Sequence, residues 1–274
     1  MTGPKTGTIT GLRRDLVDAV GVLLGQARSA LFITGPSLSQ DSGLPSYRGI
    51  PGLAKRKPTD GKVFETALSA DMLATQPEVT WKYLLAIDEA VRYARPNRGH
   101  EVLAELEQSL ARSTIMTINV DRLHQRAGSR NVIEMHGALH DLVCKRCELS
   151  SRHERYDQLP MPPRCAVCHD VLRPDMPLFG EPLPADPFTQ LQSELDAGFD
   201  MVFAIGVGKM HSYLARPILL AKQEGIPTIE IGVEHTDLSE IVDFRFRGSP
   251  WRVLDLIGMV YKQLGRISHD KLGG

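Results

Sequence analysis

The 274-residue chain holds four cysteines, and they stand as two pairs, Cys144 with Cys147 and Cys165 with Cys168. A CxxC turn aims two thiolates at one point, and two such turns with seventeen residues between them fill the tetrahedral shell of a zinc ion. Sulfur then occupies every coordination position and leaves none for water, so this metal holds the fold and does no chemistry. The first fifteen residues lack the apolar segment of a secretion signal, so the chain is expected to stay in the cytoplasm, where thiols bind metal in preference to forming disulfides. His153 and His169 lie near the cysteines, but solvated loop positions explain them more simply than activation of a thiolate does.

A second kind of chemistry lies in three polar segments, each following a short apolar run. GPSLSQDSGLPSYRG (35–49) follows ALFIT, TINVDRLHQRAG (117–128) follows the run at 113–117, and EMHG, containing His136, follows 131–134. Glycine and hydroxyl residues where a parallel strand ends suit a phosphate or a ribose, although the GxGxxG dinucleotide fingerprint is absent. One such loop is ordinarily a turn, and one histidine at a strand end ordinarily a cap. Three polar loops on a single sheet edge make a binding site.

The elements that must position these loops follow from periodicity. Helical spacing covers 12–26, 99–110, a stretch ending at 222, and 251–264; short apolar strands cover 30–34, 113–117, 131–134, 200–205 and 228–231. Such alternation implies an α/β fold, a doubly wound parallel sheet that binds ligands at the carboxyl edge of its strands. Two stretches break the pattern: 47–96, helical after a Gly/Pro-rich loop, and 142–174, which carries the cysteines. Both read as inserts that build a smaller lobe, leaving 1–46, 97–141 and 175–274 for the large domain. No run reaches the 18 apolar residues of a membrane span. With 32 Lys and Arg against 33 Asp and Glu, no broad field draws nucleic acid or an acidic membrane.

Taken in order, ITGPSLSQDSGLPSYRG, RPNRGH, TINVDRLHQRAG, VIEMHG, the two CxxC pairs, LRPDMPLFGE and AIGVGKMHSYLARP resemble the sirtuins, the NAD-dependent protein-lysine deacylases, from about residue 12 to 264. The resemblance implies a Rossmann-like large domain, a small lobe made of a four-cysteine zinc ribbon and a helical insert, and a cleft where NAD meets the acylated lysine of a protein or peptide. It implies that the acyl oxygen attacks the ribose carbon bearing nicotinamide, that His136 acts as general base on a ribose hydroxyl, and that the acyl group ends on ADP-ribose. Asn119 and Asp121 look like the pair that orders the nicotinamide carboxamide. Ser39, Asp41 and Arg48 look like cofactor-loop contacts, and Tyr47 stands where the family usually has phenylalanine. Leu178, Phe179, Gly180 and Glu181 look like the edge that pairs with the substrate peptide, opposite a segment containing Lys209 and Met210.

This chain departs from the family on the NAD side of the cleft. Gly35, Pro36 and Ser37 replace glycine, alanine, glycine, which removes a backbone N–H and adds a β-carbon. Ile118 replaces a glutamine, Val207 and Gly208 replace threonine and serine after Gly206, and Gly232 replaces an asparagine. The Ser37 hydroxyl and the Lys209 ammonium are candidate substitutes for the lost donors. No YxxR pair follows Trp81, which argues against succinyl-lysine. Two further readings stay open: a mono-ADP-ribosyltransferase or NAD hydrolase, and a scaffold that binds a nucleotide or partner without turnover.

Overall fold

The computed structural model describes residues 5–8, 13–44, 64–208 and 211–272. Seven parallel strands form one sheet in the order β1 (Lys5–Thr8), β10 (Phe244–Arg247), β9 (Thr228–Gly232), β8 (Met201–Ile205), β2 (Ser29–Thr34), β3 (Arg112–Thr117) and β4 (Val132–Glu134). The central strands are buried on both faces, and alternate residues serve opposite layers. Ala30 and Phe32 pack with Phe203 against α1 (Arg14–Gln26), α6 (Arg98–Ser109) and α10 (Pro250–Leu272). Leu31 and Ile33 pack with Val202 and Ala204 against α8 (Ala185–Asp196) and α9 (Ser212–Gln223). Helices thus cover both faces, as the alternation of the sequence predicts.

From β2 the chain winds outward to β3 and β4, and from β8 it winds the other way to β9 and β10. Adjacent β2 and β8 are therefore the point where the winding reverses, which is where a doubly wound sheet takes its ligand. Thr34 pairs with both Ile205 and Thr117, and Thr117 with Glu134. Four loops consequently leave the sheet at one level.

A second, antiparallel sheet has the order β6 (Ser150–Arg152), β5 (Ala138–Val143), β7 (Arg173–Asp175). It shares a core with α3 (Phe64–Ala67), α4 (Ala70–Thr75) and α5 (Pro77–Val91), in which buried Trp81 packs edge-on to Tyr156 and donates its indole N–H to the Leu172 carbonyl at 3.0 Å. This sheet starts at Ala138, ahead of the 142 boundary read from the cysteines, because the chain runs straight from the His136 turn into β5.

Gly137 makes that turn. Its φ is +62°, and a β-carbon there would stand 1.9 Å from the Asp175 carbonyl oxygen. Gly137→Ala is expected to cost roughly 2 kcal/mol or more in thermal unfolding. Gly225→Ala, at φ +73° with nothing within 4 Å, should cost only about 1 kcal/mol. Equal costs would contradict the close approach.

Candidate active site

At the reversal point the first and fourth loops touch. Gly35 donates its N–H to Ile205 O at 3.0 Å, Ser37 to Gly206 O at 3.1 Å, and Leu38 to Gly35 O at 3.2 Å. A β-carbon on Gly35 would lie 2.8 Å from Gly206 O, and one on Gly206 would lie 2.8 Å from Leu38 N. Pro36 opens the short helix α2 (Pro36–Gln40) at the first position, where a missing N–H costs no helical bond. The consequence is that every backbone N–H from 35 to 38 is either absent or already donated within the protein. A phosphate at this turn needs the loops to part, or a side-chain donor such as the half-buried Ser37.

The first and second loops are joined through Ser39, Asn119 and Asp121. Buried Ser39 donates Oγ–H to Asp121 Oδ2 at 2.6 Å, and Asn119 donates its Nδ2 hydrogens to Ser39 Oγ at 3.0 Å and to Gly35 O at 3.1 Å. Leu123 N–H, at the start of α7 (Leu123–Arg126), completes Asp121 through Oδ1 at 2.9 Å. Burial raises the Asp121 carboxyl above its ordinary pKa, against the opposing bonds from Ser39 and Leu123 and the field of Arg126. Ile118 and Val207 pack into the apolar layer beneath and offer no polar group. Asp41 Oδ2 accepts from Ser249 Oγ at 2.8 Å and Trp251 N at 3.4 Å. The unsatisfied N–H groups that begin α10 have claimed this carboxylate.

On the other side of the crevice, Gly208 and Gly232 carry no side chain. The Glu234 carboxylate comes close enough that a β-carbon on Gly208 would stand 2.9 Å from its Oε2. Tyr47, Arg48, Lys209 and Met210 lie outside the described residues.

His136 follows β4, and its Nε2 sits 2.8 Å from the Tyr213 hydroxyl on the first turn of α9. Burial, and then the field of His211, lower its pKa below the ordinary imidazole value, so the ring is neutral at pH 7 and able to accept a proton. Sequence reading missed Tyr213. The two residues are 77 positions apart, and the hint in the sequence was the aromatic pair in HSY at the start of α9.

Along the expected peptide edge, buried Leu178 donates its N–H to Glu181 Oε2 at 2.7 Å, and Arg173 grips both Glu181 oxygens at 2.5 and 2.6 Å. That clamp, led by Arg173, holds the Glu181 carboxyl below its usual range. Phe179 donates its N–H to Leu68 O at 3.0 Å and stands edge-on to Phe64. Phe179, exposed at 46%, and Gly180 are therefore the open part of the segment.

The four cysteine sulfurs lie within 4.8 Å of one another, with Cys144 to Cys168 at 3.3 Å and Cys147 to Cys165 at 3.4 Å. Disulfide sulfurs would be about 2 Å apart, whereas a tetrahedron of thiolates about 2.3 Å from zinc has edges of about 3.8 Å. The donor set fits one zinc ion. Each knuckle closes with a left-handed residue, Glu148 or His169, whose N–H returns to the carbonyl of Cys144 or Cys165. His169 is thus a turn residue, and His153 bonds Ser151 Oγ at 2.9 Å. Backbone N–H groups of Cys168 and Val167 lower the Cys165 thiol, while Cys147 and Cys168 stand above the ordinary thiol value beside the neighbouring sulfurs.

Doubly wound sheet, four-sulfur cluster and histidine-bearing cleft together define a dinucleotide-binding domain with a zinc-stapled lobe. Residues 35–210 match the Sir2 family. The chain is 40% identical over 253 residues to NAD-dependent protein deacylase 2 of Pseudomonas aeruginosa, covering 91% of this chain and 98% of that protein. A solved Sir2 homologue in complex with NAD superposes with a TM-score of 0.81 at 32% identity, covering 96% of this chain and 98% of its own. A mutant Sir2 homologue in complex with 2'-O-acetyl-ADP-ribose gives a TM-score of 0.79 at 32% identity, over 90% and 96% of the two chains. The chain belongs to the Sir2 family.

Elemental analysis should find one zinc per chain. Cys165→Ser is expected to lose it and to expose the core around Trp81, shifting its fluorescence to longer wavelength, while the helical circular dichroism of the large domain persists. A zinc-free wild type with unchanged Trp81 emission would contradict a structural metal.

Proposed function

We propose that the protein is an NAD-dependent protein-lysine deacylase that moves an acyl group from lysine to ADP-ribose and releases nicotinamide. The observation that carries this reading is the placement of Ser39, Asn119, Asp121 and His136 on loops leaving three neighbouring strands at one level. Bound NAD supplies an electrophilic ribose carbon with nicotinamide as its leaving group. Asn119 and Asp121 orient the carboxamide, Ser39 locks that pair in place, and His136 takes the proton of a ribose hydroxyl. Phe179 and Gly180 guide an acylated peptide towards the cleft by strand addition. These roles assume a Rossmann-like unit and a smaller lobe, with the zinc insert running from Ala138, where β5 begins, to Asp175, where β7 ends. No helix among the described residues is long and apolar enough to cross a membrane, and we place the reaction in the cytoplasm.

The Glu234 carboxylate beside Gly208 suits the two hydroxyls of an adenosine ribose, replacing side chains absent at Gly208 and Gly232. Glu234→Gln is expected to weaken NAD binding by calorimetry about tenfold. Unchanged affinity would remove Glu234 from the site.

A scaffold that does not turn NAD over draws support from one observation, the backbone donors of 35–38 already spent on Ile205, Gly206 and Gly35. Mixing the protein with NAD and an acetylated peptide separates the readings. The deacylase releases nicotinamide only when peptide is present and falls silent as His136→Ala. Release without peptide indicates NAD hydrolysis, labelled ADP-ribose on protein indicates transfer, and no release with no NAD binding leaves the scaffold.

A further inference from the structure

Tyr213 is held on both faces and at its tip. The His211 ring stacks on it at 5.8 Å with planes 10° apart, and Phe188 meets it edge-on at 5.6 Å. Its hydroxyl ends 2.8 Å from His136 Nε2. Pro217, four residues on, has no N–H to give the Tyr213 carbonyl, so that carbonyl lacks its usual helical donor. His136 lies on the loop after β4 and Tyr213 on the first turn of α9, the helix that follows β8, and those two strands lie three places apart in the sheet. Their bond therefore spans the mouth of the cleft.

An imidazole nitrogen makes one in-plane hydrogen bond, so the Tyr213 hydroxyl and a substrate hydroxyl cannot both take Nε2. Among the described residues the hydrogen-bond partner of the His136 ring is Tyr213, and it engages Nε2 and leaves Nδ1 to a ligand. We propose that Tyr213 is a positioning residue, accepting a hydrogen bond from His136 Nε2–H and so presenting Nδ1 as the atom that receives a proton, an inference that rests on His136 being the base. The proton leaves the substrate hydroxyl, binds Nδ1, and makes an imidazolium whose Nε2–H bond to the Tyr213 oxygen becomes charge-assisted.

The signs of the two neighbours follow. A charge-assisted bond favours the imidazolium over the neutral ring, so Tyr213 raises the proton affinity of His136. Burial and His211 lower it. Among the charged groups on adjoining elements, Glu134 pairs through Oε2 with Arg122 while its Oε1 is buried without a partner among the described residues, Asp121 accepts from Ser39, and Arg216 donates to Gln192. Burial raises the Tyr213 phenol further above its ordinary value, so it stays neutral through the working range. Without Tyr213 the base would be weaker and free to rotate.

Imidazole nitrogen NMR of the ligand-free protein tests this, with the His136 signals assigned by their loss in His136→Ala. The wild type should show the tautomer protonated at Nε2. Tyr213→Phe keeps the ring contacts and removes only the hydroxyl; it should lower the His136 pKa by about one unit and let both tautomers appear. His211→Gln should raise that pKa by about half a unit. In turnover, the acidic limb of the kcat/KM profile should move the same way in each variant, with the KM for NAD little changed. A wild-type ring protonated at Nδ1, or a pKa that Tyr213→Phe leaves in place, overturns the inference. Acyl-dependent nicotinamide release surviving in His136→Ala instead overturns the reading of the base, and that outcome is separate from the tautomer measurement.

Discussion

Thr34, Thr117, Glu134 and Ile205 end four neighbouring parallel strands at the same height, and the site depends on that alignment. Parallel strands buried on both faces cannot slip by one residue without turning Phe32 and Ile33 into each other's layers, so register is fixed by the two apolar clusters. Loops that begin level then bring Ser39, Asn119, Asp121 and His136 to one rim without further adjustment. The zinc-stapled sheet starts one residue after Gly137, so the metal also helps hold the turn that carries His136.

At the reversal point Pro36 and Ser37 stand where the resemblance implies alanine and glycine, while Gly35 is kept, and the structure shows how the fold has absorbed the change. Pro36 starts a helix where its missing N–H costs nothing, and the remaining N–H groups turn inward to β8 and its loop. Such packing favours the empty cleft. A hydrogen bond to a charged group contributes roughly 1.5 to 3 kcal/mol, so losing two or three donors weakens NAD binding by about a hundredfold or more unless other groups respond. Ser37 and Glu234 stand on either side of the gap with chemistry that complements a phosphate and a ribose diol.

Much of this was legible in the sequence because short-range rules govern it. The β-strands announce themselves as apolar runs ended by polar loops, and the CxxC turns need only their own spacing to point four sulfurs together. What the sequence hid depends on contacts between distant elements. The hydrogen bonds from Ser249 and Trp251 to the Asp41 carboxylate were not visible in the sequence. Glu181 read as part of a peptide edge, yet Arg173 clamps it. Tyr213 sat inside AIGVGKMHSYLARP with no role assigned to it, since its meaning comes from its contact with His136. In each case a side chain's partner, set by tertiary packing, decided its role.

The central claim is that the crevice between the loops after β2 and β8 takes the diphosphate of NAD while His136 faces its nicotinamide ribose. A crystal structure of the protein with ADP-ribose tests this directly. The diphosphate should lie between residues 35–37 and 206–208, with the Ser37 N–H to Gly206 O contact opened and Asn119 and His136 beside the distal ribose. ADP-ribose bound elsewhere, or a cleft that stays closed at saturating ligand with His136 turned from it, would contradict the account.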